Sequence, residues 1–307
     1  MTVPVLAGPT ASGKTALTLA LAERLPLEIV SADAMMVYRH MDIGTAKPTP
    51  EERARVSHHL IDVLDPGERF SVADYVRLAE AAIQDVLERG NVPLVVGGTG
   101  FYIRALAEGL ATVPEADLKA QQPFWERFER EGIEPLHAKL LAQSSHDAER
   151  AQRNPRRVIR ALEILARTGR PPSVFPKTKP MFRYKRALLL PSMEQLEPRI
   201  KARTEAMFAA GLVDEVRGLL ADHPNLGTAR QAIGYKEVAE HLANCLTLDE
   251  AKAAVTLATR QYAKRQRTWF RKEAGRTESL VLEAVSLEVM EKVREWLMRL
   301  SADRSEC

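Results

Sequence analysis

Gly8-Pro9-Thr10-Ala11-Ser12-Gly13-Lys14-Thr15 fits the pattern G-x-x-x-x-G-K-[ST] of a phosphate-cradling loop. The flanking residues supply the context that the pattern needs. Val3 to Ala7 reads as a short buried strand, and Ala16 to Leu25 reads as a helix rich in Ala and Leu. In that order the glycines let backbone N–H groups turn towards phosphate oxygens, and the helix N-terminus adds positive potential. Lys14 then reaches the outer phosphate and the Thr15 hydroxyl holds Mg²⁺. The plain alternative is an ordinary strand-to-helix turn, and the complete pattern in this setting argues against it.

The next residues repeat the architecture. Leu27 to Ser31 reads as a second buried strand ending at Ala32-Asp33. Ligands of an open parallel sheet sit beyond the carboxyl ends of its strands. Asp33 therefore either stands close to the phosphate loop or caps the following turn, and its position alone does not choose. Met35 to Pro50 reads as an irregular connection, of the kind that contacts substrates beside a phosphate site. His58 to Val63 reads as a short strand whose adjacent histidines point to opposite faces and cannot chelate one metal together. Ser71 to Arg89 reads as a helix with Ser71 as N-cap and Gly90 as its stop. Val92 to Val96 is a β-rich run leading to a second glycine turn, Gly97-Gly98-Thr99-Gly100, and to a helix reaching about Glu108. Thr99 is a candidate phosphate or substrate contact. Strands alternating with helices predict an α/β fold: a P-loop doubly wound parallel sheet core, its first part spanning 1–111.

From Thr112 to Met181 prolines divide the chain into short helical pieces, which predicts a small all-helical insertion over 112–182. Within it Arg153, Arg156, Arg157 and Arg160 cluster around Asn154-Pro155, a cap followed by a proline at the first helical position. This cluster is either a solvated charged face or a contact for a polyanion. Phe182 to Pro191 returns as a strand and opens a third region, 183–307, with a helical C-terminal part. Glu194 to Leu220 reads as a helix pair or one long helix. Arg199 and Arg203 share a side of it, and either could lean towards the phosphate crevice. Leu248 to Glu273 reads as the last helix, on which Arg260, Lys264, Arg267 and Arg271 form a narrow stripe. No Asp or Glu occurs from Thr256 to Lys272, whereas a solvated helix interleaves both signs. An unpaired basic stripe near Tyr262, Trp269 and Phe270 fits a nucleic-acid backbone, with Trp269 and Phe270 more readily core than stacking residues. Ser301 to Cys307 reads as a polar tail that frays.

A chain of 307 residues, 45% hydrophobic and 28% charged, suffices for a large core and two domains. Its net charge of +3 is too small to imply a polyanionic partner by itself. No apolar run is long enough for a membrane span, and the first strand begins without a basic-then-apolar leader, which points to the cytoplasm. Cys245 and Cys307 suit a reducing compartment and exclude a cysteine-rich zinc site. On these features alone a P-loop kinase for a small metabolite or nucleotide leads. A nucleotide-regulated RNA-binding module is the second class, and it gives Asp33 no task.

Longer motifs change that order. GPTASGKT at 8–15, SADAMMVYRHMDIGTAKP at 31–48, HHLIDV at 58–63, GGTGFY at 97–102, NPRRVIRALEI at 154–164, AIGYKE at 232–237 and KRQRTWFR at 264–271 follow one another. Together they strongly resemble the bacterial tRNA dimethylallyltransferases, over nearly the whole chain. Ala34 and Met36 stand where that family commonly has Ser and Gln. The resemblance implies transfer of a dimethylallyl group from dimethylallyl diphosphate to N6 of an adenosine beside the anticodon, with Mg²⁺, by a monomer. It implies that Gly8, Pro9, Thr10, Ala11, Ser12, Gly13, Lys14 and Thr15 hold the diphosphate. Asp33 is then the general base, Thr99 contacts the amine and the diphosphate, and Arg203 is the helical arginine on the diphosphate. For the tRNA anticodon stem-loop it implies grips at Asp33, Ala34, Met35 and Met36, and at Arg156, Arg157, Val158, Ile159 and Arg160. Further grips fall at Gln231, Gly234, Tyr235 and Lys236, and at Lys264, Arg265, Arg267, Trp269 and Arg271.

Overall fold

In the computed structural model, which describes residues 1–223 and 225–302, the run Thr2–Ala7 (β1) is buried and pairs in parallel on both sides. Lys14–Ala22 (α1), Leu27–Ala32 (β2), Pro50–Arg55 (α2), His58–His59 (β3), Val72–Glu88 (α3), Val92–Gly97 (β4) and Gly100–Glu108 (α4) follow. The next stretch is helical: Leu118–Glu131 (α5), Glu134–Gln143 (α6), Ser145–Ala151 (α7) and Pro155–Thr168 (α8). The chain then forms Arg183–Leu189 (β5), Met193–Ala209 (α9), Leu212–Asp222 (α10), Tyr235–Leu242 (α11), Leu248–Ala274 (α12), Ser279–Leu282 (β6) and Leu287–Ala302 (α13). Two compact units result, one of residues 1–107 with 181 onward, the other of residues 108–180.

The first unit is an α/β sheet of six parallel strands in the order β3-β2-β4-β1-β5-β6. Its strands alternate large apolar residues between two faces, as a period of two requires. Val3, Val5, Ala7, Val30, Val95 and Leu188 meet Tyr75, Ala79 and Ile83 of α3, Ile103 and Leu106 of α4, and Phe270 of α12. Leu6, Leu94, Ala187 and Leu189 meet Leu17 and Leu21 of α1 and Met290, Val293 and Leu297 of α13. Burying each such Leu or Ile contributes about 1.5–3 kcal/mol. Both faces are thus covered, which makes the core doubly wound and leaves ligand access at the strand ends.

Two expectations change, one helix is new and one alternative is decided. The helix at α12 is not the last, because β6 and α13 follow it and cover one face of the sheet. The strand read over His58 to Val63 holds only His58–His59, since Leu60 and Asp62 take left-handed backbone (φ 62° and 57°) and break extension. A short helix, α2, starts at Pro50 behind a Thr49–Glu52 capping box. The stretch from Glu194 to Leu220 is a helix pair, divided at Gly211, whose φ of 96° suits glycine.

The second unit packs α5, α6, α7 and α8 around Leu136, Leu140, Val158, Ile159 and Leu162. Asn154 caps α8 with its side-chain oxygen on the Arg157 N–H, and Pro155 takes the first helical position. Among the described residues no helix is long and apolar enough to cross a membrane. Ser301 and Ala302 close α13, while 303–307, and with them Cys307, lie outside the described residues.

Candidate active site

The loops after β1, β2 and β4 meet at one end of the sheet. Gly8 donates its N–H to Gly97 O (3.3 Å), and Thr99 donates its N–H to Ala32 O (3.1 Å). Ala34 N–H donates to the Thr99 hydroxyl at 3.1 Å. The close approach needs glycine: a Cβ on Gly8 would lie 2.3 Å from Leu189 O, and one on Gly97 would lie 2.1 Å from Ala32 O. The phosphate loop, the Asp33 loop and the Thr99 turn therefore form one hydrogen-bonded group.

In the phosphate loop, Gly13 has φ 97° and opens α1. The first amides of α1 lack an intrahelical acceptor, as at any helix start, which suits them to an anion. The Lys14 ammonium donates to Gly8 O (2.9 Å) and Pro9 O (2.8 Å). Burial pushes its pKa down to about 7, the like charge of Arg203 adds to the fall, and Asp33 opposes it. Both helical arginines of α9 reach the loop. Arg203 donates to the Thr10 hydroxyl at 3.3 Å and Arg199 to Ser12 O at 3.4 Å. Burial lowers the pKa of Arg203 from the ordinary guanidinium value. The two arginines line a cavity of about 360 Å³ with Ala11, Gly13, Ala16 and Val285. Lys14, Arg199 and Arg203 donate here to neutral acceptors, with Asp33 as the nearby carboxylate, and three clustered cations suit concentrated negative charge.

Asp33 serves both alternatives that its position allowed. Its Oδ1 accepts the N–H groups of Met35 (2.8 Å) and Met36 (3.3 Å), so it shapes its own turn. Its charge is also felt at Lys14 and at the Tyr262 phenol. Tyr262 lies against Thr99 and Gln266, and burial raises its pKa above the ordinary phenol value, with Asp33 contributing. The loop beyond Asp33 is held from behind. Lys47 Nζ donates to Tyr38 O (2.6 Å), Asp42 (2.7 Å) and Asp62 (2.5 Å). Glu215 accepts the amides of Asp42, Ile43 and Gly44.

Some side chains expected on tRNA point inward instead. Tyr235 is 1% exposed and gives its hydroxyl to Glu215 at 2.5 Å, and Gly234 is buried beside it. Val158 and Ile159 are core of the helical unit, because the apolar face of α8 turns inward. Arg160 pairs with Glu163 at 2.5 Å and also donates to Pro114 O. Arg156, Arg157, Gln231, Lys236, Lys264, Arg265 and Arg271 are exposed. The α12 stripe is not wholly unpaired: Arg260 meets Glu197 at 2.6 Å, and Arg267 donates to Pro191 O at 2.8 Å. Trp269 is half-buried, with the Arg104 guanidinium 4.0 Å over its ring and Gly100 against its indole nitrogen.

Sequence reading passed over Gln266 and Val285 as individual site residues, named Tyr262 only beside the basic stripe, and left Arg199 open. Gln266 had a signal: it is the polar residue one turn from Phe270 on the inward face of a helix otherwise charged outside. Val285 had none, because its place depends on the unforeseen β6–α13 return. Among the described residues no group of three His, Cys, Asp or Glu could hold a metal. Thr15 offers one half-buried hydroxyl at the loop, which fits a hard cation held mainly by phosphate oxygens and water.

Comparison with known proteins identifies the family. A family model described as IPP transferase matches residues 36–273, and one described as isopentenyl transferase matches residues 1–63. The tRNA dimethylallyltransferase of Thermus thermophilus is 58% identical over 273 residues, 89% of this chain and 90% of that protein. That of Deinococcus radiodurans is 46% identical over 277 residues, again 89% and 90%. The crystal structure of the tRNA isopentenylpyrophosphate transferase of Bacillus halodurans matches with a TM-score of 0.70 and 36% identity, over 99% of this chain and 98% of that one. A eukaryotic dimethylallyltransferase acting on tRNA matches with a TM-score of 0.76 and 27% identity, over 94% of this chain and 75% of that one. The chain belongs to the IPP transferase family of bacterial tRNA dimethylallyltransferases.

Proposed function

We propose that the chain transfers a dimethylallyl group from dimethylallyl diphosphate to N6 of an adenosine beside the anticodon of tRNA, acting as a cytoplasmic monomer. One observation carries this reading: Asp33 and Thr99 stand on loops bonded to a phosphate loop that is ringed by Lys14, Arg199 and Arg203. A kinase needs the cations but has no evident use for a carboxylate tied to a second glycine turn.

The adenine N6 lone pair attacks the allylic carbon, the bond from that carbon to the diphosphate oxygen breaks, and diphosphate leaves with the bonding pair. Lys14, Arg199, Arg203 and the amides at the start of α1 stabilise the charge that grows on the leaving oxygens. Asp33 accepts the N6 proton as the C–N bond forms. Thr99 holds the amine and diphosphate sides in register. Thr15 would hold Mg²⁺, which supplies further positive charge to the diphosphate. The base must leave its stack to reach these loops, so the anticodon loop is gripped elsewhere. The exposed basic side chains of α12 suit its phosphates.

The test is incubation of the pure protein with tRNA, Mg²⁺ and dimethylallyl diphosphate, followed by mass analysis of the nucleosides. N6-isopentenyladenosine is expected. Its absence, together with protection against unfolding by ATP and not by the prenyl diphosphate, favours the kinase.

A further inference from the structure

Gln266 is a buried amide in the middle of α12, 6% exposed. Its Oε1 accepts the Thr10 N–H at 2.9 Å, and its Nε2 donates to Gly98 O at 2.8 Å. One side chain thus joins the phosphate loop after β1 to the glycine turn after β4. The chemistry of the gap selects the residue. A backbone N–H can only donate and a carbonyl can only accept, so the bridge needs an acceptor and a donor on one planar group. Glutamate supplies two acceptors and would set an oxygen against Gly98 O. Asparagine is one methylene shorter. The amide orientation is fixed by the same two partners.

A second observation points the same way. A Cβ on Gly98 would lie 2.4 Å from Gln266 Nε2. Glycine at 98 is what admits the amide, so the two residues are matched. The other polar residue on this inward face, Glu273, is neutralised by Arg104 and Arg186. Gln266 instead joins the two loops that carry the Lys14 and Thr99 chemistry, with the Tyr262 phenol beside its amide.

We propose that Gln266 is the positioning residue that sets the spacing between the phosphate loop and the Thr99 turn, and so aligns the diphosphate with the acceptor amine. This rests on the prenyl-transfer reading, and the test separates the two. Gln266→Met keeps length and bulk without either bond, and Gly98→Ala obstructs the same contact from the other side. Both are compared with the native protein for the affinity of inorganic diphosphate with Mg²⁺, for kcat of prenyl transfer, and for tRNA affinity. Diphosphate binding should weaken at least about tenfold and kcat should fall by roughly 10², since displacements near 1 Å have that effect. The affinity for tRNA should stay within about twofold. The double variant should lose less than the sum of the two single losses, because both disturb the Gln266–Gly98 contact, although a Cβ at 98 also approaches Gly8 O to 3.2 Å. Diphosphate affinity unchanged in Gln266→Met, or additive losses in the double variant, would overturn the proposal. A native protein that binds diphosphate but transfers no prenyl group would overturn the reading beneath it instead.

Discussion

Thr99 accepts the Ala34 amide hydrogen on its hydroxyl oxygen at 3.1 Å. The loop that carries Asp33 is thereby fastened to the turn after β4, and the hydroxyl keeps its own hydrogen for another acceptor. Thr99→Ser should retain transfer within a few-fold. Thr99→Ala should lower kcat by about 10–100-fold, because it removes both the fastening and the donor. Single-turnover rates with tRNA in excess measure this. Equal rates for the two variants would show that only the methyl group or the backbone matters.

Lys14 gives a pH dependence with a definite sign. Its pKa is depressed to about 7, chiefly by burial and then by Arg203. Diphosphate binds the charged form, so binding above pH 7 must bring a proton to Lys14, and affinity should fall with rising pH by up to about tenfold per unit. Lys14→Arg, which stays charged, should keep only the part of the pH dependence that comes from ionisation of diphosphate itself, so the slope is read as the difference between the two proteins. Stability of the ligand-free protein runs the other way. Between about 7 and the ordinary value of 10.5 the unfolded chain binds the extra proton, so this group makes stability rise with pH there. Calorimetric titration with inorganic diphosphate across pH 6–9 checks the first sign, and thermal unfolding checks the second.

The exposed face of α12 predicts a contrast between two residues. Lys264 is exposed, whereas Arg260 is held by Glu197 at 2.6 Å. Lys264→Ala should weaken tRNA binding and lower the slope of log affinity against log salt by roughly one phosphate contact. Arg260→Ala should change that slope less, because its charge is already compensated. Binding measured over a salt series decides. A Lys264→Ala slope equal to that of the native protein would remove α12 from the phosphate contacts.

Legibility in the sequence followed how local each cause is. The phosphate loop was readable because eight consecutive residues carry the chemistry and the last two of them, Lys14 and Thr15, open the nine-residue α1. The Ser71 and Asn154 caps were readable for the same reason: a cap acts on residues two and three positions away. The edge of the sheet was not, because β6 is four residues long and its pairing with β5 depends on a chain return almost a hundred residues later. Asp33 was placed at a strand end by the parallel-sheet rule, but the tie of its neighbour Ala34 to Thr99 spans 65 residues and no spacing reveals it. The basic stripe on α12 was visible as a periodicity, while its partner Glu197 sits on another helix. The turn at Gly234-Tyr235 said little by itself, and the burial of Tyr235 against Gly44 and Glu215 depends on contacts far away in sequence.

The central claim is that Asp33 takes the proton from the attacking amine, and Asp33→Asn tests it with the least disturbance of the Met35 and Met36 turn, since the amide oxygen can still accept their N–H groups. The measurement is single-turnover transfer from saturating dimethylallyl diphosphate to bound tRNA, alongside tRNA affinity for the same variant. The account predicts a rate lower by about 10²–10⁴-fold with tRNA affinity within about twofold. A rate within a few-fold of native, or a loss of rate matched by an equal loss of tRNA binding, would contradict it.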